Sequence, residues 1–143
     1  MRITVLSFQQ HRNAGLEPAE AEYLKRLSRH AKVELRTARL RNGDGAVPDD
    51  LLKAQRIVGL FVEGESFSSE EMAGKLRAWM NAGCSHLVLV IGGADGMPRT
   101  AVAQIREKWS MSRLTFSHQL LRLLLLEALY RSFDILHGRR YHK

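Results

Sequence analysis

The sequence predicts an α/β fold, a mostly parallel sheet flanked by helices, in a single domain spanning residues 1–143. Three observations point there. Short apolar runs of strand character at 2–8, 57–62 and 86–91 alternate with segments of helical periodicity, the pattern of a parallel sheet covered on both faces. The run HLVLVI at 86–91 passes directly into Gly92-Gly93-Ala94-Asp95-Gly96, a strand entering a tight turn. Hydrophobic residues make up 45% of the 143 residues, with only 3 prolines and 11 glycines, so one sizeable core is available and no linker divides the chain.

The elements follow in order. MRITVLSF carries one positive charge and no long apolar region or cleavage site, so it reads as a first strand rather than a leader. From 17 to 30, Tyr23, Leu24 and Leu27 recur at helical spacing with Leu16, and Glu20, Glu22, Lys25, Arg26 and Arg29 fall mostly on the opposite face. Val33 and Leu35 start a second strand of period two. RLRNGDGAVP at 39–48 is a polar, glycine-containing loop, and a short helix at 49–56 leads into the third strand, IVGLFV at 57–62. Ser68 or Ser69 caps a helix that runs through Asn81 and stops near Gly83. After the fourth strand, Pro98 or Thr100 opens a helix through about Lys108, and 109–116 reads as a short strand and loop. A long helix spans 117–137, and GRRYHK closes the sequence.

Charge narrows the partners. Lys and Arg number 22 against 15 Asp and Glu, a net charge of +7, which favours polyanions such as RNA through phosphate contacts. The most apolar stretch, 120–136, is interrupted by Arg122, Glu127, Arg131 and Asp134 and falls short of the ~18 uncharged residues of a membrane span. Cys84 is the only cysteine, so no internal disulfide or cysteine-rich zinc site is available, and it reads as a packed thiol. No carboxylate pair, serine triad or metal-ligand cluster stands out; no metal is expected. Glu127 and Arg131, four apart on the long helix, read as an ion pair.

Three segments can carry chemistry. IGGADGM at 91–97 permits close backbone approach to a ligand, or is simply a tight turn; it matches neither a dinucleotide-binding glycine pattern nor a P-loop. In WSMSRLTFSHQLLR at 109–122, alternating small polar residues offer amides and carbonyls to an adenine-sized ligand. Ser117 would cap the long helix, and His118 in its first turn is either a packing residue or a neutral base. In the tail, Arg139, Arg140 and Lys143 around Tyr141-His142 either grip phosphates and stack on a base or form a frayed basic end.

Taken together, strand–IGGADGM, then S-x-x-T-F-x-H-Q-x-x-R-x-x-x-x-E-x-x-Y-R, then a terminal Y-H-K resemble one family over essentially the whole chain: the RlmH-type enzymes of the SPOUT superfamily, which N3-methylate a pseudouridine in 23S rRNA. The resemblance implies a C-terminal trefoil knot, a homodimer packed through the knotted helices, S-adenosyl-L-methionine as cofactor, and a cytoplasmic enzyme acting on assembled ribosomes. By position it implies a cofactor site of Leu60, Gly92, Met111, Ser112, Arg113, Leu114, Thr115 and Phe116. Catalytic candidates are His118, His142 and Tyr141; RNA-binding candidates are Arg122, Arg139, Arg140 and Lys143. The sequence departs from the family where Phe61 follows Leu60 in place of an acid, where Ser117 stands for the usual proline, and in a shorter 41–53 segment. Two other classes fit the charge and the fold: a non-catalytic RNA-binding module of ribosome assembly, and a flavodoxin-like enzyme with a phosphate-bearing cofactor. Binding of S-adenosylmethionine discriminates among them.

Overall fold

The computed structural model of the chain describes residues 1–8 and 13–143. Its elements are β1 (Arg2–Ser7), α1 (Glu17–Leu27), β2 (Lys32–Thr37), β3 (Arg56–Glu65), α2 (Ser69–Asn81), β4 (His86–Ile91), α3 (Arg99–Gln104), β5 (Glu107–Trp109) and α4 (His118–Leu136). The strands form one sheet in the order β2-β1-β4-β3-β5, and every neighbouring pair is parallel.

Period two in the strands decides which side chains face which layer. In β4, Leu87, Leu89 and Ile91 enter a core shared with Leu27 of α1, Leu76 of α2 and Leu125, Leu126 and Leu129 of α4. Val88 and Val90 point to the other side, where Val47, Leu51, Ala54 and Ala101 cover them. Both faces of β4 are therefore dry, as its unbroken apolar run requires. At the start of α2, the Ser68 hydroxyl accepts from the Glu71 amide and the Glu71 carboxylate accepts from the Ser68 amide, and Gly83 just past its end takes φ +87°. These are the start and stop signals read from the sequence.

Three boundaries differ from expectation. Residues 49–55 form turns rather than a helix. Val47, Leu51 and Ala54 have helical spacing and are buried, but Leu51 and Leu52 donate back to Pro48 and the chain must extend at Arg56 to enter β3. The helix after Pro98 stops at Gln104, because the Arg106 amide donates to the Ile57 carbonyl and draws the chain into β5 alongside β3. β3 itself runs on to Glu65, with a bulge in which Leu60 and Glu65 both pair with Trp109; Phe61–Gly64 leave the ladder there.

The polar face expected for α1 is also corrected at one position. Glu20 is 4% exposed and Arg122 of α4 is 7% exposed. Arg122 Nε donates to Glu20 Oε2 at 2.5 Å, Nη2 to Glu20 Oε1 at 2.9 Å, and Nη1 to the Ser7 hydroxyl at 3.4 Å. The forked guanidinium satisfies both carboxylate oxygens, so two charges that water would otherwise solvate sit between α1, α4 and the end of β1. Removing one partner leaves a buried charge unmatched. Glu20→Ala is expected to cost about 3–5 kcal/mol in chemical denaturation, while the volume-matched pair Glu20→Leu with Arg122→Met regains most of that loss. Equal losses in the single and double variants would show that packing, not charge, dominates the site.

Candidate active site

The carboxyl ends of β3 and β4 and the start of α4 enclose a crevice of about 480 Å³, within the size range of small-molecule sites. Its floor is Leu60 and Ile91, one wall is Gly92, Gly93 and Met97, and the other is Phe116, His118 and Leu121. A smaller recess of about 130 Å³ continues from it, sharing Leu60, Phe61, Phe116 and Leu121 and adding Met111, Ser112, Leu114 and Thr115. Stretches separated by tens of residues in the chain thus meet on one cavity. Parallel strands bring this about: all their carboxyl ends lie at one edge, where the loops gather.

Backbone geometry shapes the glycine wall. Gly93 and Gly96 exchange two backbone hydrogen bonds at 3.0 Å each, closing the turn, and Gly96 takes φ +92°. A Cβ on Gly92 would lie 2.8 Å from the backbone of Gly96 and Met97, and one on Gly93 would lie 2.5 Å from the Phe8 carbonyl oxygen. Neither neighbour is a side chain that can swing away.

The opposite wall is a loop bonded to itself. Ser110 Oγ donates to the Ser112 carbonyl at 3.0 Å, and the Leu114 amide donates to Ser112 Oγ at 3.0 Å. Ser117 Oγ accepts from the Leu120 amide at 3.2 Å, so serine at this position caps α4. Leu114 is 71% and Phe116 38% exposed, an apolar lip around the opening. Half-buried His118 has its pKa lowered, first by burial and then by the charge of Arg122. Four residues apart on α4, these two share a helix face.

The sequence-predicted residues divide. Leu60, Gly92, Met111, Ser112, Leu114, Thr115, Phe116 and His118 line the cavity. Arg113 is exposed on the same loop but outside the lining. Arg122, expected on the RNA side, lies beneath the crevice in the pair with Glu20. Tyr141 and His142 do not line the cavity. Gly138, at φ +64°, turns the chain back after α4, and the tail folds along the helix. The Tyr141 hydroxyl donates to Glu127 Oε1 at 3.0 Å and lies 3.0 Å from the Tyr23 hydroxyl, while its amide donates to Asp134 Oδ2 at 2.8 Å. Its pKa is pushed well above the usual phenol range by burial, then by Tyr23 and Glu127. His142 Nδ1 is 3.0 Å from Arg131 Nη1 and its Nε2 is 2.7 Å from Glu70 Oε1. A guanidinium only donates, so Nδ1 accepts and Nε2–H donates to Glu70. That bond holds the exposed Glu70 carboxyl below its ordinary pKa. Arg139, Arg140 and Lys143 are exposed. Sequence reasoning missed Phe61 and Val62 as lining residues; the apolar run continuing past Leu60 was the available signal.

Among the described residues no group of three or more His, Cys, Asp or Glu is placed to hold a metal ion, and no helix is long and apolar enough to cross a membrane.

If the glycine wall depends on close backbone approach, Gly92→Ala is expected to lower stability by about 1–3 kcal/mol, as overpacking does. Gly74→Ala supplies the control. A Cβ there meets nothing within 4 Å in the middle of α2, so that change is expected to raise stability by about 0.5–1 kcal/mol. Thermal melts of the two variants check both signs.

Comparison with known proteins adds three findings. A family model described as Predicted SPOUT methyltransferase matches residues 1–142. Proteins named Ribosomal RNA large subunit methyltransferase H are similar over 100% of both chains: 37% identical in Acetivibrio thermocellus, 36% in Anaeromyxobacter sp. (strain Fw109-5) and 35% in Bacillus thuringiensis subsp. konkukian. A solved structure from Haemophilus influenzae Rd KW20, described as a probable methylase family protein, superposes with a TM-score of 0.61 over 99% of this chain and 70% of that one, at 12% identity, a likeness of fold.

Proposed function

Because the chain belongs to the SPOUT methyltransferase family, we propose that it methylates N3 of a pseudouridine in 23S rRNA, with S-adenosyl-L-methionine held in the crevice at the ends of β3 and β4. The observation that carries this reading is the convergence of Leu60, Gly92 and the Met111–Phe116 loop on the crevice and the recess adjoining it. The relatives' name supplies the class of RNA. We further read residues 1–143 as one domain with a knotted C-terminal region. A homodimer covers the half-exposed leucines of α4, and the work is done in the cytoplasm on assembled ribosomes.

The residues present fit the cofactor. Apolar Leu60, Ile91, Met97 and Leu121 suit an adenine ring, and the glycine turn allows backbone amides and carbonyls to approach its polar edge. Phe61 stands where the resemblance places an acid, so any role for a carboxylate at that position is absent. When bound there, S-adenosylmethionine supplies a methyl already activated on a sulfonium. The protein's own tasks are alignment, the exclusion of water and removal of the imide proton from the target base. His118 is the titratable candidate on the crevice, and its lowered pKa keeps the ring neutral and able to accept that proton. Tyr141 and His142 have their polar atoms engaged by Glu127, Tyr23, Arg131 and Glu70, and we read them as positioning residues for the tail rather than as the base.

Calorimetric titration with S-adenosylmethionine is expected to give one site per chain, and mass-spectrometric mapping of rRNA from a strain lacking the gene is expected to show one missing methyl, restored with it. No binding under any condition would favour an RNA-binding module without chemistry. A group with a depressed pKa loses its proton at lower pH. The acid limb of kcat/KM is therefore expected below pH 6.5, the ordinary histidine value. His118→Gln is expected to remove that limb and lower turnover by roughly 10²–10⁴-fold with cofactor affinity retained. An unchanged limb in that variant excludes His118 as the base.

A further inference from the structure

We propose that a second surface, the open bowl between the loop after β2 and the start of α3, holds backbone phosphates of the substrate RNA through Arg39, Arg41 and Arg99. The proposal rests on the RNA-methyltransferase reading above and extends it to how the RNA is gripped.

The bowl, of about 340 Å³, is lined by Arg39, Arg41, Asp44, Gly45, Ala46 and Thr100. It is rigid. Arg41 and Asp44 exchange two backbone hydrogen bonds, at 2.7 and 3.0 Å, across a turn in which Asn42 takes φ +52° and Gly43 +77°. That is a type I′ turn, for which Asn-Gly is the favoured pair. The Ala101 amide donates to the Gly45 carbonyl at 3.0 Å, and the Val47 amide donates to Gln104 Oε1 at 2.7 Å, so loop and helix are laced together.

Basic charge exceeds acidic charge locally. Among the described residues Asp44 is the only acid lining the bowl, and its carboxylate accepts from the amides of Gly45 and Thr100 and from the Thr100 hydroxyl. Arg39, Arg41 and Arg99 are all exposed, and none forms an ion pair among the described residues. Three exposed guanidinium groups set against one carboxylate, Asp44, which interacts with Arg99 through space, leave a net positive surface that suits phosphate oxygens.

Placement gives the bowl its purpose. Met97 lines the crevice and Thr100 lines the bowl, and three residues of chain span at most about 10 Å. Phe8 connects the two from below: its ring lies beneath Gly45 and its carbonyl beneath Gly93. A strand of RNA with one base in the crevice passes the bowl within the next few nucleotides.

Co-sedimentation with ribosomes over a salt series tests this. In the triple variant Arg39→Gln, Arg41→Gln, Arg99→Gln, affinity is expected to fall about tenfold or more. The slope of log K against log salt is expected to shrink by about two to three, because each lost phosphate contact removes nearly one unit. The Kd for S-adenosylmethionine should hold. Lysine at all three positions should recover most of the slope, a result that mere loss of folding does not give. An unchanged slope and ribosome KM in the glutamine variant overturns the surface. If the parent chain itself neither binds S-adenosylmethionine nor methylates ribosomes, it is the enzymatic reading that falls.

Discussion

The buried pair of Arg122 and Glu20 is the constraint on which the active edge of the molecule depends. A guanidinium at 7% exposure persists only if its donors are matched, since an unpaired charge in that setting costs several kcal/mol. Glu20 and Ser7 meet this requirement from α1 and the last residue of β1. They thereby set where the second turn of α4 sits relative to the sheet. One turn earlier on the same face stands His118, and beside it Leu121, both walls of the crevice. The ion pair therefore helps set the depth of the cavity, and burial first, then its positive member, lower the pKa of the neighbouring imidazole.

Given that anchor, the cavity follows from parallel-sheet geometry. β3, β4 and β5 all end at one edge, so the residues that leave each strand there must share space. The bulge between Leu60 and Glu65 takes Phe61 and Val62 out of the ladder and turns them toward the opening. The glycine turn after β4 does the reverse, bringing bare backbone to within contact of Phe8, Gly96 and Met97. An apolar floor with accessible main chain is the combination a nucleoside needs.

Features carried by local pattern were legible in the sequence. The dry strand β4, the capping box at Ser68 and the α4 boundaries all declare themselves within a few residues. Those set by distant partners were not. Glu20 looks like a surface acid on α1 because its partner lies 102 residues away. The edge strand β5 holds only Glu107, Lys108 and Trp109, too few to show a period, and it exists because β3 offers a free edge. Residues 49–55 carry helical apolar spacing and yet turn, because a strand must start at Arg56. The convergence of three cofactor segments was inferred from resemblance; spacing alone left the glycine turn and the tail open.

The tail shows how the fold distributes its charge. Glu127 accepts from Arg131 and Tyr141, Glu70 from His142, Asp134 from the Tyr141 amide, Asp50 from Arg36 and Asp44 from Thr100. In each case the carboxylate is spent on internal cohesion. Arg39, Arg41, Arg99, Arg113, Arg139, Arg140 and Lys143 stay exposed. Hydrogen-bonded acids keep their charge, so the net remains +7, and the exposed basic side chains carry that excess on the surface a polyanion meets. Arg41 lines the bowl, Arg99 opens α3 two residues after Met97 of the crevice, and Arg113 is exposed on the serine loop. Positive potential thus borders the cavity while its interior stays apolar. On the proposed reading, such a rim draws the phosphates of an RNA, and a base, which carries no charge of its own, is the part left to enter.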